Sequence, residues 1–180
     1  MAVNKPFRRR AANKTMEVSI EEMISADWPQ VREIYLEGIA SGEATFAVAA
    51  PEWEEWDAGH LKRPRLIARQ GKDVLGWVAV SPVSDRCVYR GVAEVSVYVA
   101  EAGRGRGVGN ALLEALVLGS EDEGIWTLQA RIFPENVASV KLHLRNGFRE
   151  VGRRERIGKM KGVWRDTVLL ERRSKIVGSD

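Results

Sequence analysis

The sequence predicts a single-domain α/β protein built on a mixed sheet. Three observations carry that expectation. Apolar spacing switches along the chain between the strand period of two and the helix period of about 3.6, in the order β, α, α, β, β, β, α, β, α, β, β. The 180 residues suffice for one ordinary core, with no internal repeat and no linker. Near the middle, residues 93–109 (AEVSVYVAEAGRGRGVG) pass from an alternating strand through a basic, glycine-rich turn straight into a helix.

Taken in order, residues 16–20 alternate as a short strand. Asp27 is placed to N-cap the first helix, with Pro29 in its first turn. Val31, Ile34, Tyr35 and Ile39 mark its inner face, and Gly42 stops it. Ala44-Thr45-Phe46 is a loop. Pro51 opens a second helix in which Trp53, Trp56 and His60 share one side. That stripe reads first as helix-on-sheet packing, with a substrate-lining role for Phe46 or Trp53 as the lesser alternative. Residues 65–70 and 74–81 flank Gly71-Lys72-Asp73, a hairpin signal. Residues 84–91 form a polar loop before the strand that carries Glu94. In the next helix Leu112, Leu113, Leu116 and Val117 point inward, and Gly124 ends it. Residues 126–133 are a strand, and 136–146 a helix with Gly147 as its C-cap. Residues 148–157 and 163–171 make a last strand pair around 159–162. The domain is drawn over residues 16–172, between a leader of 1–15 and a frayed tail of 173–180.

Charge and composition exclude several classes. The net charge of +3 comes from Lys5, Arg8, Arg9, Arg10 and Lys14; the rest of the chain is net acidic. A basic nucleic-acid face over the domain is therefore not expected. The leader reads as a disordered segment. No apolar run approaches the roughly 18 residues of a membrane span, and no secretory signal opens the chain. Cys87 stands alone, which leaves no disulfide frame and no cysteine metal site. A cytoplasmic protein without a metal is the expectation.

The chemistry concentrates at residues 93–109. In a strand Glu94 faces away from Val95, Val97 and Val99, and Glu is depleted in strand interiors, so its presence asks for a reason. The glycines at 105, 107 and 109 open a run of backbone N–H groups from Gly105 through Arg106, Gly107, Val108, Gly109 and Asn110. With the helix dipole behind them, these suit a pyrophosphate. A Walker A loop is absent, since no Gly-Lys-Ser/Thr occurs. The dinucleotide fingerprint fails because Asn110 stands where its third glycine belongs. Together the strand and the turn suggest a phosphate-bearing cofactor held with its reactive end beside a general base, Glu94; a glycine-rich strand-to-helix turn with arginines for solubility is the alternative. Backbone N–H groups of Val97, Tyr98 and Val99 are then placed to pair with the cofactor's arm and polarise its carbonyl.

Arg104-x-x-Gly107-x-Gly109 resembles the coenzyme A signature Q/R-x-x-G-x-G/A of the GNAT N-acetyltransferases. The resemblance implies the GNAT fold, a mixed and mostly antiparallel central sheet flanked by helices, with acetyl-CoA as co-substrate. It gives Asn136, besides its N-cap role, and Ser139 contacts to the cofactor. It gives His143, in KLHLRNGF, the place where most of the family has a Tyr as acid for the leaving thiolate. The phosphinothricin acetyltransferase branch has His there. Residues 89–99 resemble that branch's Y-x-x-T-x-E-x-S-V-Y-V, Gly162-x-Trp164-x-Asp166 its late G-x-W-x-D, and Ala44-Thr45-Phe46 its first substrate loop. Val92 departs from the usual Thr, which bears on the hydrogen bonding around Glu94. Within the branch, residues 81–99 look closest to arsinothricin acetyltransferases. The implied substrate site comprises Phe46, Arg86, Arg90, Val92, Ala93 and Glu94. Arg86 and Arg90 are reasonable partners for a second anionic group, with surface solvation as their equal alternative.

The expectation is an acetyltransferase for the α-amine of a small amino acid, a glutamate-analogue toxin such as phosphinothricin, arsinothricin or methionine sulfoximine. Glu94 is its base and His143 its acid. The alternatives are acetylation of protein N-termini or lysines, and a non-catalytic coenzyme A sensor. The resemblance also implies a homodimer.

Overall fold

The computed structural model describes residues 17–178, so the basic leader lies outside the described residues. The helices are α1 (Trp28–Ser41), α2 (Trp53–Gly59), α3 (Val108–Asp122) and α4 (Val137–Arg145). The strands are β1 (Ser19–Glu22), β2 (Arg65–Gln70), β3 (Asp73–Pro82), β4 (Val92–Val99), β5 (Thr127–Ile132), β6 (Arg149–Met160) and β7 (Val163–Arg173). Among the described residues these seven strands form one sheet in the order β1-β2-β3-β4-β5-β7-β6. Every pairing is antiparallel except β4 with β5. No helix among the described residues is long and apolar enough to cross a membrane.

Period-two alternation sorts the side chains of β3 into two cores. Val78 and Val80 face α3, whose Leu112, Leu113 and Leu116 are fully buried beside Ala93, Leu128 and Leu170. Trp77 and Ala79 face the other way, under α1 and α2, with Trp28, Val31, Trp56 and Ile67. A strand covered on both faces reads as a near-continuous apolar run, and that is how residues 74–80 are composed. The aromatic stripe of α2 is packing. Trp56 lies edge-on to Trp77 at 5.7 Å and stacks on His60 at 4.1 Å.

Three local expectations are revised. Asp27 stands at the N-cap position of α1, but its carboxylate accepts from the Ile24 N–H at 3.0 Å and from Arg69 at 2.5 Å instead of capping the helix. The β6–β7 turn is shorter than 159–162. Lys161 and Gly162 both have positive φ (48° and 81°), the two-residue loop that matches strand twist. The described part of the tail is tied down. Ser174 N–H donates to the Trp126 carbonyl at 2.8 Å, its hydroxyl reaches Glu121 at 2.9 Å, and Arg173 donates to the Val177 carbonyl at 2.7 Å.

Candidate active site

The site follows from a split in the sheet. β4 and β5 pair only at Val92 with Thr127, Ala93 with Leu128 and Glu94 with Gln129. Beyond that point β5 stays on β7 through Ile132, while β4 stays on β3 through Val99. The β4 edge past Glu94 therefore has no strand beside it, and unpaired backbone groups favour an extended ligand that supplies the missing bonds. Two cavities of about 600 Å³ and 420 Å³ open along the split. Ala44, Val97, Tyr98, Asn136 and Ser139 line both, so the two adjoin.

The larger cavity is a groove over the start of α3. It is lined by Val97, Tyr98, Val99, Arg104, Gly105, Gly107, Val108, Gly109 and Asn110, and on its far side by Lys141 and Arg145 of α4. Gly107 is the N-cap of α3 at φ 81°, a left-handed conformation natural to glycine, and no side chain caps the helix. A Cβ at Gly105 or Gly107 would meet nothing within 4 Å, so the turn is open above its N–H groups. Gly109 has a different reason to be glycine. A Cβ there would press on Leu142 at 3.3 Å and Val99 at 3.4 Å. Asn136 accepts from Ser139 N–H at 3.1 Å as the α4 N-cap, and its amide donates to the Glu43 carbonyl at 3.2 Å.

The smaller cavity holds the titratable groups. Glu94 pairs with Arg131, whose Nε donates to Oε1 at 2.8 Å and whose Nη2 lies 2.6 Å from Oε2. Gln129 stands 3.4 Å from Oε2. His143 is 2% exposed, edge-on to Phe148 at 5.0 Å, with Nδ1 at 2.8 Å from the Ser139 carbonyl. A carbonyl oxygen only accepts, so the hydrogen sits on Nδ1, and Nε2 of the neutral ring is a bare acceptor. That Nε2 is buried without a protein partner, as is Thr167 Oγ1, and both residues line this cavity. Burial pushes the His143 pKa down, opposed in part by the Ser139 carbonyl. Burial raises the Tyr98 phenol, and its ring stacks on Trp77 at 4.7 Å. Phe46 meets Phe133 edge-on at 4.8 Å and packs against Gly158, where a Cβ would strike the Phe46 ring at 2.6 Å.

Two adjoining cavities, one over an open glycine turn at a helix start and one lined by a carboxylate and a histidine, fit acyl transfer from a phosphate-bearing carrier. The sequence matches the acetyltransferase (GNAT) family over residues 18–148. The chain belongs to the GNAT acetyltransferases. It is 34% identical over 153 residues to the phosphinothricin N-acetyltransferase of Alcaligenes faecalis, covering 81% of this chain and 77% of that protein. It is 30% identical over 162 residues to the L-methionine sulfoximine/L-methionine sulfone acetyltransferase of Pseudomonas paraeruginosa, covering 87% and 94%. Its fold superposes with a TM-score of 0.81 on a GNAT phosphinothricin acetyltransferase from Sinorhizobium meliloti solved with acetyl-CoA, at 27% identity over 91% of each chain.

Some residues expected at this GNAT site lie elsewhere. Arg86 and Arg90 do not line the smaller cavity. They are exposed on the short 3-10 turn before β4, where the Arg86 guanidinium sits 5.6 Å from the Tyr89 ring. Ala93 alternates away from Glu94 and is fully buried in the α3-side core, and Val92 likewise does not line the cavity. Arg106 turns from the groove to the Ala102 carbonyl at 3.2 Å and to Gln70 at 2.9 Å. Conversely, Arg131, Thr167, Lys141 and Arg145 escaped the sequence reading. Gln129 and Arg131 are polar residues that alternate with Leu128, Ala130 and Ile132 along β5, so one face of this strand is polar.

Gly107→Val is expected to weaken coenzyme A binding by about tenfold to a hundredfold, the worth of one charge-assisted bond. Calorimetry on the folded variant reads this directly. Unchanged affinity would remove the turn from the cofactor site.

Both histidines of the chain, His60 and His143, have pKa values pushed down chiefly by burial. The unfolded chain therefore binds protons first as pH falls through the ordinary histidine value near 6.5, and stability drops with it. The carboxylates Glu21, Asp57, Glu135 and Asp166 are pulled down first by hydrogen bonds from the Ser19 hydroxyl, Lys62, the Glu135 backbone N–H and the Arg156 backbone N–H in turn, so their contribution is lost only below about pH 4. Melting temperature should decline between about pH 6.5 and 4.5, and replacing both histidines with Gln should flatten that decline. A parental slope in the double variant would show that other groups set it.

Proposed function

We propose that this GNAT enzyme transfers the acetyl group of acetyl-CoA to the α-amine of a small amino acid of the phosphinothricin and methionine sulfoximine kind. One observation carries the reading. The cavity with Glu94 and the bare Nε2 of His143 opens into the groove over the Gly105–Gly107 turn. The open turn, the unpartnered β4 edge and the flanking Arg104, Lys141 and Arg145 fit a long, anionic, amide-bearing carrier. Acetyl-CoA supplies the activated acetyl thioester. The names of the relatives support an amino-acid acceptor.

The chain's own residues then divide the proton work. An ammonium nitrogen sheds two protons in becoming an amide nitrogen, and the departing thiol takes one back. Glu94 accepts the first, which makes the amine nucleophilic. His143 Nε2, an acceptor in the resting state, takes the second and returns it to sulfur. The acid role is thus available to His143 only after it has acted as a base. Backbone N–H groups along Val97–Val99 are placed to stabilise charge developing on the carbonyl oxygen.

Free-thiol release from acetyl-CoA across amino acids, phosphinothricin, methionine sulfoximine, aminoglycosides and peptides tests the reading. Turnover confined to the amino acids supports it, and turnover of peptides alone replaces it with protein acetylation.

A further inference from the structure

We infer that Arg131 takes the α-carboxylate of the amino-acid substrate, which enters as a zwitterion between Arg131 and Glu94. This rests on the acetyl-transfer reading and adds to it the means of telling an α-amino acid from any other amine. Of the described residues lining the smaller cavity, Arg131 is the one arginine or lysine and Glu94 the one carboxylate. Each is the other's partner, through Nε at 2.8 Å and Nη2 at 2.6 Å. An α-amino acid carries the mirror image of this pair, an ammonium and a carboxylate on a single carbon. When it inserts, Arg131 turns its two-pronged fork from one carboxylate to another, and Glu94 exchanges a guanidinium for an ammonium. No charge is left bare at any stage. An amine without a carboxylate breaks the same pair and returns only one contact, leaving a guanidinium unpaired.

The placement suits the exchange. Gln129 and Arg131 lie on the same face of β5, and Arg131 stands beyond the last β4–β5 pair, where the strands have parted. The Arg131 side chain is 50% exposed against 19% for Glu94, so Arg131 is the partner free to swing. An ion pair so open to water is weakly held. The Gln129 amide remains within 3.4 Å to steady the Glu94 carboxylate when Arg131 leaves it. A consequence is an order of events: Glu94 is released to receive a proton only when a carboxylate has engaged Arg131.

The test compares each α-amino acid with its α-carboxamide, which keeps the amine and loses the acid. Parent, Arg131→Gln and Arg131→Lys are assayed in the full chain. Arg131→Gln should lower the acid-over-amide ratio of kcat/KM by about tenfold to a hundredfold, mainly through KM for the acid. Arg131→Lys, which keeps the charge and loses the fork, should recover part of the ratio. An equal fall for acid and amide, carried in kcat, would show that Arg131 only orients Glu94 and would overturn the inference. Thermal stabilisation by acid and by amide, measured without acetyl-CoA, reads the same contact independently of turnover. If acid stabilises the parent more than amide does, and Arg131→Gln abolishes the difference, the contact stands even should acetyl transfer to amino acids fail. Equal stabilisation of the parent by both refutes it.

Discussion

Glu94→Gln is expected to lower kcat at neutral pH by roughly 10²–10⁴, the range for loss of a general base. Gln keeps the length and planarity of the side chain and can still accept from Arg131, but it cannot take a proton. Because Glu94 does not line the larger cavity proposed for coenzyme A, cofactor affinity should hold, and its retention certifies the fold. The deficit should shrink as pH rises, because solution then supplies more of the neutral amine that Glu94 would otherwise have made. A variant with near-parental kcat and an unchanged pH–rate profile would take the base role from Glu94 and leave the cofactor groove untouched.

How far the sequence reveals this site depends on which interactions are local. The strand–turn–helix at residues 93–109 is legible because alternation, glycine spacing and the helix start all act within a few residues. The core faces of β3 and α3 are legible for the same reason, since each is a short-range period. The Glu94–Arg131 pair is not. It spans 37 positions and exists because two parallel neighbours pair for three residues and then part. Arg86 and Arg90 show the converse. They are close to Glu94 in sequence and basic, yet the turn before β4 leaves both on the surface, outside the cavity. Nearness along the chain is a poor guide where a strand begins, because the pleat and the turn together set the direction of each side chain.

His143 illustrates a subtler limit. Its position in the helix before Phe148 can be read from the sequence, but its protonation pattern depends on one backbone carbonyl. The Ser139 oxygen, four residues back, fixes the hydrogen on Nδ1 and makes the buried Nε2 an acceptor. His143 thus rests with Nε2 as an acceptor, the opposite of what the proposed acid role alone would need.

His143→Ala should lower kcat by roughly 10²-fold or more, at the lower end of the general acid–base range because Glu94 still removes the first proton. The substitution empties a buried space between Ser139 and Phe148, large enough to admit free imidazole. Added imidazole is therefore expected to restore part of the rate. The form that rescues decides the role. If His143 first accepts a proton, neutral imidazole is the active species, and rescue should grow as pH rises through the pKa of free imidazole. If His143 begins as an acid, imidazolium is required, and rescue should fade over the same interval. Rescue that grows with pH, together with coenzyme A affinity equal to the parent's, would establish Nε2 as the acceptor that the Ser139 carbonyl makes it. Rescue that fades would return His143 to a simple acid and require another acceptor in the same cavity.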